Sequence, residues 1–123
     1  MQMNKTDAVL LLPTDRGTKI ILVNTLIRVE AISNYSKLYF SNGSTLVVAR
    51  VLRRFEVSLM AGHFLRIHRS HLVNKLWLRS LDYNDGCRVS LQNGDVLPVS
   101  RRRVKSLVVN AGSTSAAPEA PYT

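Results

Sequence analysis

Four turn signals punctuate the chain at short intervals, Pro13 to Gly17, Asn42-Gly43, Asp85-Gly86 and Asn93-Gly94, each between apolar or β-branched stretches. Asn-Gly and Asp-Gly readily adopt the positive backbone angles that close an antiparallel hairpin, so this rhythm belongs to sheet and leaves little room for helices. Strands are expected at about 7–12, 19–23, 27–32, 36–41, 45–48, 64–67, 72–74, 76–82, 87–91 and 96–99, many of them short. Two segments break the period of two. In 49–61, Val51, Leu52, Phe55 and Leu59 fall on one stripe while Arg50, Arg53, Arg54 and Glu56 face elsewhere, which predicts a helix over about 50–61 stopped by Gly62. A shorter helix is expected over about 101–109, with Ser100 as cap and Val104, Leu107 and Val108 inward. Its first turn is three arginines, which oppose the helix dipole and repel one another; a bound phosphate would resolve that conflict.

At 123 residues the chain has the size of one domain. Residues 1–17 read as an N-terminal extension with the first strand, 18–110 as the domain proper and 111–123, small and proline-bearing, as a flexible tail. Seventeen Lys and Arg against eight Asp and Glu give a net charge of +9, which folding does not require and which makes an anionic partner the first expectation. One cysteine, Cys87, allows neither an internal disulfide nor a multi-thiolate metal site, and a cytoplasmic location is expected. No apolar run approaches the roughly 20 residues that span a bilayer, so no membrane role is expected.

Three polar clusters carry the positive charge: Ser33-Asn34-Tyr35-Ser36-Lys37, the stretch from Phe64 to Lys75 centred on His68-Arg69-Ser70-His71, and Ser100-Arg101-Arg102-Arg103. Arginine engages guanine edges bidentately, asparagine reads adenine, and serine and histidine donate to phosphate, so these residue types suit nucleic acid. A solvated loop is the plain alternative for each cluster. That all three fall at strand or helix ends favours contact elements on a rigid sheet. Phe64 and Ile67 are expected in the core, Trp77 in a strand and packed, and Asn74 as a structural side chain at a strand end. His68 and His71 lie three apart and could be imagined in a metal-dependent nuclease, but further ligands are wanting and no catalytic carboxylate pair or glycine-rich phosphate loop stands out. Neither enzyme activity, metal, cofactor nor small-molecule substrate is expected.

Val29-Glu30-Ala31 followed by Asn34-Tyr35, the run Phe64-Leu65-Arg66-Ile67-His68-Arg69-Ser70-His71-Leu72-Val73-Asn74, and Leu97-Pro98-Val99-Ser100-Arg101 together resemble the LytTR family of bacterial DNA-binding domains. The central run is similar to the family's F-x-R-x-H-[RKN]-S-[YFH]-[LIV]-V-N signature, and the resemblance covers about residues 18–109. It implies a mainly β, elongated fold of about ten short, mostly antiparallel strands, whose loops enter successive major grooves of double-stranded DNA. Carried over by position, it makes Lys37, Arg69 and Arg101 the primary DNA contacts, with Ser36 as an alternative to Lys37. It leaves Asn34, Arg66, His68, Ser70, Lys75, Ser100, Arg102 and Arg103 as secondary, chiefly phosphate-positioning, candidates. The function implied is sequence-specific transcription regulation at paired direct repeats, with two copies per site and a homodimer on DNA; an RNA-binding module is the alternative. Relatives mostly carry a receiver domain ahead of this part, for which about 17 preceding residues leave no room, so a stand-alone regulator is expected. The reading requires the three cationic segments to lie on one side of the scaffold.

Overall fold

The computed structural model describes residues 8–59, 63–83 and 86–104. Strands β1 (Val9–Thr14) and β2 (Gly17–Leu22) form a hairpin closed by Asp15 and Arg16, and Gly17, at φ 114°, takes the left-handed backbone that the return of the chain needs. Pro13 sits opposite Thr18, one step from the closing Thr14–Gly17 pair, where its absent N–H would have pointed out of the ladder. The principal sheet has five antiparallel strands in the order β5 (Thr45–Val48), β4 (Tyr35–Phe40), β3 (Leu26–Ile32), β7 (His71–Asn74) and β6 (Phe64–His68). A second antiparallel sheet is built from β8 (Leu78–Asp82), β9 (Arg88–Leu91) and β10 (Val96–Pro98), with β9 central.

The principal sheet is covered on both faces, which is why β7 and the first half of β3 are buried without interruption. On one face α1 (Leu52–Ser58) and the β1–β2 hairpin bury Phe55, Leu52, Leu12 and Ile21 against Leu26, Val29, Leu38 and Leu72. On the other, β9 and β10 bring Val89, Leu91 and Leu97 against Ile27, Leu65, Ile67 and Val73. Burying a side chain of this size contributes about 1.5–3 kcal/mol, so the two clusters dominate folding. Asn74 ties them off: its amide donates to the carbonyls of Val23 (3.1 Å) and Leu26 (2.9 Å), and its oxygen accepts from the Leu76 N–H (3.0 Å).

The mainly β architecture of ten antiparallel strands and one helix is the expected one, and Phe64 and Ile67 are core residues. Local differences have physical causes. The first strand runs to Thr14 rather than ending at 12, because Pro13 is tolerated on the hairpin's outer edge. The helix is Leu52–Ser58, shorter than 50–61: Val51 is extended at its start, and Leu59 leaves helical geometry after closing one bond to the Phe55 carbonyl. Trp77 ends a 3₁₀ turn, Lys75–Trp77, instead of lying in a strand; Asn74 holds that turn, and the indole N–H donates to the Asn24 carbonyl at 3.2 Å. At the C-terminal side Arg101–Arg103 form a 3₁₀ turn in which the Ser100 hydroxyl makes no capping bond. The rest of the expected 101–109 helix, from 105, and the 111–123 tail lie outside the described residues.

Candidate nucleic-acid interface

Strand register brings the three cationic segments to the same end of the principal sheet. β3 pairs with β7 through Glu30–His71, so the Ser33-Asn34 turn beyond Ile32 abuts the Arg69-Ser70 turn, and the Ala31 N–H donates to the Ser70 carbonyl at 2.9 Å. β6 ends at His68 on that side, and the Ser100 N–H donates to the Ile67 carbonyl at 2.9 Å, which docks Arg101–Arg103 beside the same strand end. Lys37 lies two residues into β4 from this end, half-buried, with its ammonium 5.1 Å from the Tyr39 ring centre. Lys75 follows the opposite end of β7, where its N–H donates to the His63 carbonyl. Five residues of extended chain, about 17 Å at ~3.3 Å per residue, separate it from Ser70.

The turn that presents Arg69 is held rigidly. Arg66 donates from Nε to the His68 carbonyl (2.7 Å) and from Nη2 to the Arg69 carbonyl (2.7 Å), while Nη1 meets Glu56 Oε1 of α1 at 2.6 Å. The Ser70 N–H donates to His68 Nδ1 at 3.0 Å. With its guanidinium engaged in this way, Arg66 positions the turn instead of standing free as a phosphate contact. Its own carbonyl accepts from Arg103 Nη1 at 3.4 Å, which links the second cationic segment to the third. In the first turn Ser33 adopts φ 57°, the left-handed region that a non-glycine residue enters at a cost. Arg69, Arg101 and Arg102 are exposed, and among the described residues none of them forms an ion pair.

The family model described as the LytTr DNA-binding domain matches residues 16–110. The chain belongs to that family. DNA binding, and with it transcription regulation, follows from LytTr membership. Among solved structures, the chain is similar to a LytTr DNA-binding domain from Bacillus cereus, at 23% identity and a TM-score of 0.71, covering 85% of this chain and 97% of that one. That likeness concerns the fold. No curated protein sequence matches the chain.

Within the LytTr frame the candidates separate by environment. Asn34 is exposed and Ser70 and Ser100 are partly exposed at the shared end of the sheet. Ser36 is fully buried and its hydroxyl donates to the Arg50 carbonyl at 2.5 Å, so it ties β4 to the chain leaving β5 and is withdrawn from the surface. The signal was available: Ser36 shares the inward parity of Leu38. Lys75 belongs to the far end. His68 spends Nδ1 on the turn, and among the described residues no three His, Cys, Asp or Glu side chains gather as a metal site. His71 is buried beneath the turn; burial pushes its imidazole pKa down, against the pull of Glu30, with Arg28 and His68 adding to the depression. No helix among the described residues is long and apolar enough to cross a membrane.

Two residues of the network were not anticipated. Arg28, in β3, is buried, with Nε donating to Asp95 Oδ2 at 2.8 Å and Nη1 to Glu30 Oε1 at 3.2 Å, and its guanidinium lies 3.7 Å from the Tyr39 ring centre. Tyr39 completes the group by donating to Glu30 Oε1 at 2.8 Å. Burial would raise both carboxyl groups; the bonds from Tyr39 and Arg28 to Glu30, and from Arg28 and Asn93 to Asp95, overrule it and leave both pKa values below the ordinary range. Glu30, Asp95 and Glu56 are thus each neutralised by an internal arginine, and the end of the sheet keeps its positive charge.

Proposed function

We propose that the protein is a sequence-specific regulator that sets the Ser33–Lys37, Arg69-Ser70 and Ser100–Arg103 segments into the major groove of double-stranded DNA at paired direct repeats, without a catalytic step. The observation that carries this reading is the shared position of the three segments at one end of the five-stranded sheet, with Arg69 and Arg101 exposed and the neighbouring carboxylates already paired. The major groove, about 12 Å wide, admits turns of this size, and prearranged turns lose little entropy on entering it. Lys37, Arg69 and Arg101 are assigned to base edges, and Asn34, Ser70, Ser100 and Arg102 to phosphates. Two copies are expected per site, meeting on the DNA.

Selection of bound duplexes from a random pool tests the assignment. A recurrent, repeated motif is expected, and Arg69→Ala or Arg101→Ala should lose preference at one position within each repeat. A pool that does not enrich, or variants that weaken selected and scrambled duplexes equally, would overturn it. Competition by A-form RNA should fail, because its deep, narrow major groove excludes these turns; preference for RNA would place the protein among RNA-binding modules.

A further inference from the structure

A groove of about 730 Å³ runs between the β1–β2 hairpin and β5, lined by Arg16 and Lys19 on one bank and Leu46, Val48 and Arg50 on the other. A second hollow of about 430 Å³ shares Lys19 and Leu46 with it and extends it toward Phe40 and Thr45. One bank is the open edge of the principal sheet. The Phe40 N–H donates to the Ser44 carbonyl, so by alternation Leu46 and Val48 bond to β4, and the backbone N–H and C=O groups of Thr45 and Val47 point outward. Among the described residues β5 has no second strand beside it.

Unpaired strand edges are templates for another strand, and natural proteins commonly blunt them with charge, proline or a bulge. Here the edge residues are Thr45, Leu46, Val47 and Val48, with Val47 53% exposed. The charge stands across the groove and at its end, where Arg16, Lys19 and Arg50 face a single lining carboxylate, Asp15. A second copy of this chain, at +9, would bring like charge to that place. We propose that the groove receives an extended, acidic peptide segment of a partner protein, which adds as a sixth strand along β5. Its apolar side chains would rest on Leu46 and Val48, and its carboxylates would reach Lys19, Arg16 and Arg50. This is peptide recognition by strand addition, in which main-chain bonds hold the segment and the flanking charges select it. The surface involves none of the residues assigned to base contact.

The test titrates the isotope-labelled full chain with a synthetic heptapeptide alternating valine and glutamate, and with its counterpart in which lysine replaces glutamate. The amide signals of Thr45, Val47 and Lys19 should move with the acidic peptide and stay with the basic one. Thr45→Pro removes an outward donor without breaking a bond to β4, and should weaken the peptide about tenfold while leaving duplex binding unchanged. Lys19→Glu, on the exposed hairpin, should reverse the preference between the two peptides and keeps the test decisive should Thr45→Pro disturb the sheet. Shifts confined to 33–37, 69–70 and 100–103 would show the peptide acting as a phosphate mimic and overturn the proposal, as would equal binding of both peptides or of neither. Failure of the duplex selection would leave these outcomes untouched.

Discussion

Arg28 and Arg69 show how one residue type serves opposite ends within a single sheet. Arg28 lies in β3 with its side chain 9% exposed, held between Glu30 and Asp95 and stacked on Tyr39. Asp95 belongs to the turn between β9 and β10, so this contact fastens the second sheet to the first. Arg69 sits at the tip of the β6–β7 turn, where only its carbonyl is engaged and its side chain is left to solvent. The difference is that carboxylates surround one and none among the described residues pairs with the other. A basic protein can therefore be acid-balanced inside and still present unbalanced charge where a polyanion docks.

Removing each arginine should separate the two roles. Arg28→Ala is expected to lose about 3 kcal/mol of stability, the lower end for a broken buried pair because Glu30 and Asp95 can hydrate once released. Denaturant unfolding would measure it, and a loss within experimental error would deny the contact its structural role. Arg69→Ala and Arg101→Ala should unfold as the parent does, yet each lose about 1–3 kcal/mol of affinity for a selected duplex. A stability loss in Arg69→Ala comparable with that of Arg28→Ala would erase the distinction.

The contrast was only half visible in the sequence. Alternation and turn residues located the strands, because a strand's buried parity and its Asn-Gly or Asp-Gly turns are local properties. They also held the clue that Ser36, two positions from Leu38, faces inward. What sequence could not show is that Asp95 reaches Arg28 across 67 positions, or that Glu56 meets Arg66 from a different element. Pairings of that kind depend on how sheets stack, so Arg66 and Arg69 looked alike as neighbouring cations in one motif. The 3₁₀ geometry around Trp77 was hidden for a related reason: it depends on Asn74, whose amide is committed to carbonyls about fifty positions away.

Acid should act on the Arg28 contact and spare the Arg69 turn's exposed charge. Glu30 and Asp95 have folded pKa values below their ordinary 4.5 and 3.8, so their contribution is present above those values and is lost as pH falls through the lower, folded ones. The effect is smaller than that of Arg28→Ala, since both side chains are about a third exposed and solvent screens them. Stability measured from pH 5 downward should fall less steeply in Arg28→Ala than in the parent, because the variant has lost the interaction that depressed the two groups. Parallel curves would mean that the carboxylates are stabilised by something other than Arg28.

The smallest effect refines the comparison within the third cationic segment. Arg103 is half-buried and donates to the Arg66 carbonyl, whereas Arg102, one position earlier in the same 3₁₀ turn, is exposed. If Arg102 meets a phosphate, Arg102→Ala should weaken selected and scrambled duplexes alike. The slope of log affinity against log salt should flatten by about 0.9, the counterion share of a single contact. Titrations at several salt concentrations measure that slope directly. A change in sequence preference would place Arg102 at a base edge, while an unchanged slope would remove it from the interface and leave Arg101 as the segment's contact.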